Sequence, residues 1–224
     1  MKKNHSIVLV SGGLDSCVAA AIACQDHDVS FLHVNYGQKT ETRELKAFND
    51  IADYYRARRK LVADISYLKK IGGSSLTDKT MKIENYQQTR EGIPATYVPF
   101  RNTHLLSIAT SWAEVIGAHA IFIGAVEQDS SGYPDCQPAF FEAFNRVIEK
   151  GTKPETHIVI ETPLINLRKK DIVLKGGQLN APLHLTWSCY RNNANACGTC
   201  DSCMLRLKGF EEAGLKDPIV YEKS

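Results

Sequence analysis

The chain has 224 residues, 43% of them hydrophobic, with 27 Lys and Arg against 25 Asp and Glu and a formal net charge of +2. That length fits one α/β domain with a small appendage. Near-neutral charge spread along the chain gives no basic stripe for nucleic acid, and no run approaches the ~18 apolar residues of a membrane span. Met1-Lys2-Lys3-Asn4-His5 passes too quickly into an apolar run to be a secretory signal. A cytoplasmic location is therefore expected, and the seven cysteines are expected outside disulfides.

Ile7-Val8-Leu9-Val10 predicts a short buried strand. Ser11-Gly12-Gly13-Leu14-Asp15-Ser16 follows, and an apolar helix continues from Cys17. Gly12 and Gly13 permit a tight turn with no Cβ in the way of a ligand, while Asp15 and Ser16 suit a helix start. A glycine turn feeding a helix N-terminus offers unpaired N–H groups and a positive dipole end to an anion, which marks this as a phosphate loop. It is not a Walker A loop, because no Gly-Lys-Ser/Thr follows. Next come a strand over 29–34, a helix over 41–57 with Leu45, Phe48, Ile51, Ala52 and Tyr55 on one face, and a strand over 60–65. Residues 66–96 are polar and irregular, as expected of a lid loop or of disorder. A helix over 104–116, a strand over 118–124, a helix over 140–150, a strand over 157–161 and a short helix over 169–179, weakened by Gly176 and Gly177, complete the pattern. The alternation predicts a five-stranded parallel sheet with helices on both faces, binding its ligand at the carboxyl ends of the strands.

Cys189, Cys197, Cys200 and Cys203 fall in one window ahead of a last predicted helix over 202–213. Four thiolates so spaced can close a tetrahedral Zn²⁺ site with no open position, a structural site; an iron–sulfur cluster uses the same ligand set. Cys17 and Cys24 are expected as small apolar fillers. Three further stretches carry chemistry. Gly124–Cys136 leaves the fourth strand with acidic, hydroxyl and aromatic groups suited to a polar heterocycle. Thr96–Asn102 brings Arg101, a bidentate partner for carboxylate or phosphate. Thr162-Pro163-Leu164 leads to Lys169, which is either a partner for phosphate charge or a solvated helix residue.

The loop at 11–16 resembles that of the ATP pyrophosphatase superfamily, pattern SGGxDS. The resemblance implies attack at the α-phosphate of ATP, with residues Val10, Ser11, Gly12, Gly13, Leu14, Asp15 and Ser16 at the nucleotide and Asp15 near Mg²⁺. It implies an adenine nucleotide alpha hydrolase-like, Rossmann-like domain over 1–180 and a helical zinc-binding appendage over 181–224. The motifs SGGLDS, YVPFRN (97–102), SGYPDC (131–136), TPL (162–164) and TWSCY with its trailing cysteines (186–203) together resemble the 7-cyano-7-deazaguanine synthase family over nearly the whole chain. That family resemblance implies 7-carboxy-7-deazaguanine, ammonia and ATP as substrates, and a homodimer is expected. Asp15, Arg101 and Lys169 are then the expected catalytic residues. Arg101, Asn102, Asp129, Gly132, Tyr133, Asp135 and Cys136 are expected at the substrate, with His33 and Asn35, beside Tyr36 and Gln38, around the adenine. The sequence departs from the family pattern at Phe100, Ser130 and the 191–196 filler. The alternative is a tRNA-thiolating or other amide-forming member of the superfamily. Against thiolation stand the near-neutral charge and the complete four-cysteine set. A glutamine-fed relative would need a glutaminase domain, and a zinc-bearing binding module would have no use for an intact phosphate loop.

Overall fold

In the computed structural model, residues 3–87, 92–127 and 132–222 are described. Five parallel strands lie in the order β3-β2-β1-β4-β5: β1 (Asn4–Leu9), β2 (His27–Asn35), β3 (Lys60–Asp64), β4 (Ala120–Ile123) and β5 (Val159–Glu161). Strand side chains alternate between faces, and the sequence of β1 is apolar on both. Ile7 and Leu9 join Leu32, Val34, Ile121 and Ile123 on one face, covered by Leu106 and Ala109 of α4 (Arg101–Ile116) and by Phe141, Phe144 and Ile148 of α5 (Pro138–Gly151). Val8 and the adjoining Val10 face the other way with Phe31 and Phe122. They meet Cys17, Ala20 and Ala23 of α1 (Leu14–Asp26) and Phe48 and Ile51 of α2 (Glu41–Tyr54). The five-stranded parallel sheet with helices on both faces is thus as expected.

Several boundaries move. The first two strands begin earlier than their apolar runs, because polar partners complete the ladder: His5 bonds Ser30 and Ser6 bonds His27 across β1 and β2. The helix expected from 104 starts at Arg101, where the backbone N–H of Asn102 donates to the Asp135 carboxylate at 3.0 Å. The described part of the segment 66–96 is irregular apart from α3 (Leu68–Ile71) and is bonded to the body. Ser74, Ser75, Leu76 and Thr77 are buried, and the Lys39 ammonium donates to the Met81 carbonyl. Gly176 does not break α6 (Lys169–Gln178): a Cβ there would lie 3.0 Å from Val18, so the missing side chain lets α6 approach α1. Beyond α6, the chain forms α7 (Asp201–Glu212), packed against α6.

Strand order reverses between β1 and β4, and there the two connections diverge to opposite sides and leave a crevice at the carboxyl ends. The 11–16 loop leaves β1 at this point and Gly124 leaves β4. A Cβ on Gly124 would stand 2.8 Å from the backbone of Asp15 and Ser16, so the two connections touch.

Candidate active site

A cavity of about 270 Å³ opens in this crevice. Its floor is the phosphate loop. Gly12 has φ +92, a conformation side chains resist, and a Cβ there would lie 2.6 Å from the Glu44 carbonyl. Within the loop, the Ser16 hydroxyl donates to the Gly13 carbonyl at 3.0 Å and the Gly13 N–H donates to Ser11 Oγ at 3.3 Å. Gly13 caps α1 with no side-chain bond, so the first amides of α1 open toward an anion. Across the mouth, Lys169 at the start of α6 places Nζ 2.9 Å from both carboxylate oxygens of Asp15. Their side chains are only 13% and 29% exposed, so the pair is poorly screened.

A second group closes the cavity on the α4 side. Arg101 Nη1 donates to the Tyr36 hydroxyl at 3.2 Å and its guanidinium lies 5.1 Å from the Tyr36 ring centre. Burial pushes that phenol up to about 12, so it stays a neutral acceptor. Arg101 Nε is buried without a hydrogen-bond partner, while the side chain as a whole lines the cavity. Tyr133 bonds Thr96 at 2.7 Å and packs 5.4 Å from the Tyr97 ring. Asn102 donates through Nδ2 to the Asp135 carbonyl at 2.7 Å and to Cys136 Sγ. His33 is buried, donates from Nδ1 to the Val10 carbonyl at 2.9 Å and meets the Asn35 amide through Nε2. Burial lowers its pKa and keeps the ring neutral. Glu44, bonded to Thr40 and Gln38, also faces the cavity, and burial raises its carboxyl pKa.

The four cysteines converge as their spacing suggests. Their sulfurs all lie within 4.8 Å of one another, close to the ~3.8 Å edge of a tetrahedron with 2.3 Å metal–sulfur bonds. Cys189, Cys200 and Cys203 are buried. The backbone N–H groups of Arg191, Asn192 and Cys197 point at Cys189 Sγ, and that of Cys200 at Cys197 Sγ, each at 3.4 Å. This donor set can hold a metal ion. It is tied to the phosphate loop two residues upstream of Cys189, where the Trp187 N–H donates to the Gly12 carbonyl at 2.8 Å. The Arg43 guanidinium lies over the Trp187 ring, 4.4 Å from its centre.

Of the residues expected at the site, Val10, Ser11, Gly13, Leu14, Asp15, Ser16, His33, Arg101, Asn102, Tyr133, Cys136 and Lys169 line this one cavity. Gly12, Asn35, Gly132 and Asp135 stand outside its lining. Asp135 is buried, with one carboxylate oxygen on the α4 N-terminus. Asp129, and Ser130 beside it, fall outside the described residues. No motif in the sequence singles out Glu44, Asp201 and Arg206, which also line the cavity. Trp187, Ser188 and Tyr190 line it too and are marked in the sequence only as part of the TWSCY motif. Nothing short-range marks Arg206; the position of Glu44, four residues after Thr40 at a helix start, was an available signal.

The family model for queuosine biosynthesis protein QueC matches residues 5–214. The chain is 58% identical over 218 residues to the 7-cyano-7-deazaguanine synthase of Chlorobium chlorochromatii (strain CaD3), covering 97% of this chain and 96% of that one. It is 57% identical over 219 residues to the 7-cyano-7-deazaguanine synthase of Chlorobium phaeobacteroides (strain DSM 266 / SMG 266 / 2430), covering 97% of each. A parallel sheet carrying a phosphate loop at its switch point, a four-cysteine cluster docked on that loop, and these end-to-end matches agree: the chain belongs to the queuosine biosynthesis protein QueC family.

Proposed function

We propose that the chain is an ATP-dependent 7-cyano-7-deazaguanine synthase of queuosine biosynthesis, converting 7-carboxy-7-deazaguanine and ammonia to the nitrile. The observation that carries this reading is a single cavity lined by both a phosphate loop and the Arg101 side chain, in a chain 58% identical to a curated synthase. The two halves of the cavity suit two charged substrates. The loop amides and Lys169 suit the phosphates, and the Arg101 guanidinium suits the carboxylate. Tyr133, Asn102 and Cys136 lie on the Arg101 side, where the heterocycle would bind. His33, bonded to Asn35, borders the side where the adenine would bind.

A carboxylate repels nucleophiles. Its oxygen attacks the α-phosphorus of ATP and expels pyrophosphate, giving an acyl adenylate. Ammonia displaces AMP and loses a proton, giving the amide. The amide oxygen attacks a second ATP in the same way, and loss of AMP with both protons of the amide nitrogen leaves the nitrile. Arg101 would hold the carboxylate against the electrophile, while Lys169 and the α1 amides would carry the charge that builds on the departing pyrophosphate. Asp15 orients Lys169 and lines the cavity with an oxygen ligand suited to a hard cation; Mg²⁺, when bound, would offset phosphate charge. Zn²⁺ is the metal we assign to the cysteines. A set of four thiolates leaves no open position, so its role is structural.

The same reading takes 1–180 as the nucleotide-binding domain, 181–224 as the metal appendage and the 66–96 segment as a lid over the cavity. The protein would act in the cytoplasm, whose reducing chemistry suits a thiolate metal set. It would act as a homodimer, for which the exposed Val115 and Val147 offer apolar surface. No helix among the described residues is long and apolar enough to cross a membrane. Incubating the protein with Mg-ATP, ammonium and 7-carboxy-7-deazaguanine, with mass spectrometry of the products, tests the proposal. The amide should appear first and the nitrile after it, with AMP and pyrophosphate formed. Nucleotide hydrolysis without either product would discard this substrate.

A further inference from the structure

Gly209 lies inside α7 and is buried. A glycine within a helix costs stability relative to alanine, so its presence calls for a reason. Backbone conformation does not supply one, since Gly209 is not among the glycines of positive φ. Space does. A Cβ at this position would stand 2.4 Å from Cγ of Lys169, 3.0 Å from its Cβ and 3.2 Å from its carbonyl carbon. The backbone of α7 therefore rests directly on the stem of Lys169.

Lys169 needs such a support. It occupies the first position of α6, where the positive end of the helix dipole disfavours a cation. Its ammonium is nonetheless held 2.9 Å from both oxygens of Asp15, on the first turn of α1. Asp15 fixes the charged tip, and Gly209 fixes the path of the methylene stem. The other end of α7 begins at the cysteine cluster: Cys200 is its cap residue and Cys203 lies in its first turn. Cys200 and Gly209 are nine residues apart, ~13 Å along a helix axis. The cluster thus sets where α7 starts, and α7 sets where Lys169 can lie.

We propose that Gly209 is a positioning residue for the Asp15–Lys169 pair, and that through it the metal-bearing appendage fixes the cation at the mouth of the phosphate loop. The proposal rests on the reading of Lys169 as a phosphate-charge partner. The test compares wild type, Gly209→Ala, Lys169→Ala and the double variant, measuring metal content, Tm, and kcat and KM for ATP. In Gly209→Ala, kcat should fall about ten- to a hundredfold, as for a misplaced catalytic group. Metal content should hold, and KM for ATP should change far less than kcat. The double variant should be no slower than Lys169→Ala alone, because truncation at 169 removes the Cγ that the new methyl would strike. Should Gly209→Ala fail to fold, the double variant must recover a folded, metal-loaded protein.

Near-wild-type turnover in Gly209→Ala, beside a crippled Lys169→Ala, would overturn the proposal. So would defects that multiply in the double variant, or a double variant that stays unfolded. Full activity in Lys169→Ala would instead overturn the reading of Lys169, and the positioning role with it.

Discussion

Phe100 is an example of strain confined to one residue. Its φ of 60 and ψ of 21 place it in the left-handed region, and its side chain is 58% exposed. A bulky side chain there costs roughly 1–2 kcal/mol. Two features hold the conformation: the Phe100 N–H donates to the Tyr97 hydroxyl at 3.0 Å, and the next residue is Arg101, whose guanidinium must reach Tyr36. Strained residues gather where a fold aims a functional side chain, and this one aims the arginine of the candidate site. Asn tolerates the left-handed region without the extra chain entropy of Gly. Phe100→Asn should therefore stabilise the protein by about 1 kcal/mol, a rise in Tm of about 2–4 °C for a chain of this size. Calorimetry checks it, and a lowered Tm would mean that the ring's contacts outweigh the strain.

At the scale of elements, Arg206 ties α7 to the segments on either side. It is 1% exposed and pairs through Nε and Nη2 with both oxygens of Asp217, at 2.7 and 2.9 Å. Nη1 reaches the hydroxyls of Thr186 and Ser188, on the stretch that carries Trp187 to the phosphate loop. Removing one partner of a buried pair leaves an uncompensated charge, at a cost of about 3–5 kcal/mol. Arg206→Met should accordingly lower Tm by roughly 10 °C, whereas Lys208→Met, of an exposed pair, should leave it within a degree or two. Thermal melts of the two variants decide between a structural tie and a solvated surface charge.

Arg206 also shows where sequence reasoning stops. An arginine between Leu205 and Leu207 gives no sign of whether its own charge is buried, and its partners come from 183–188 and 217. The Asn102–Asp135 link, 33 residues apart and responsible for the early start of α4, was hidden for the same reason. What could be read was local. The apolar runs gave the strands, their alternation with helices gave the parallel sheet, and Ser11–Ser16 and the cysteine spacing each carried their chemistry within one short window. The meeting of Asp15 with Lys169 across 154 residues could be inferred only by resemblance.

At the scale of the whole molecule, the cysteine cluster is a junction of distant segments. The Tyr86 N–H donates to the Thr199 carbonyl, and Arg191 reaches the Ile83 carbonyl at 2.6 Å. Ala196 bonds Val220 and Glu222 near the C-terminus, and Trp187 reaches Gly12. Stripped of metal, four sulfurs within 4.8 Å of one another must take up protons or repel as thiolates, and either change loosens all of these segments together. The buried residues of the sheet core are distinct from those around the cluster, and Ile83 and Tyr190 pack against both. Metal binding to the folded state alone adds about 1.4 kcal/mol for each tenfold rise in free metal above the dissociation constant. At this chain length, that amounts to about 3–6 °C in Tm per decade. A strong chelator should therefore lower Tm and abolish ATP binding while the far-UV circular dichroism of the sheet and its helices largely persists. Back-titration with buffered Zn²⁺ should restore Tm along that slope and return ATP binding with it. A Tm indifferent to metal would show that the four cysteines hold the junction as packed thiols. Recovery of Tm without recovery of ATP binding would separate the cluster from the loop it touches through Trp187.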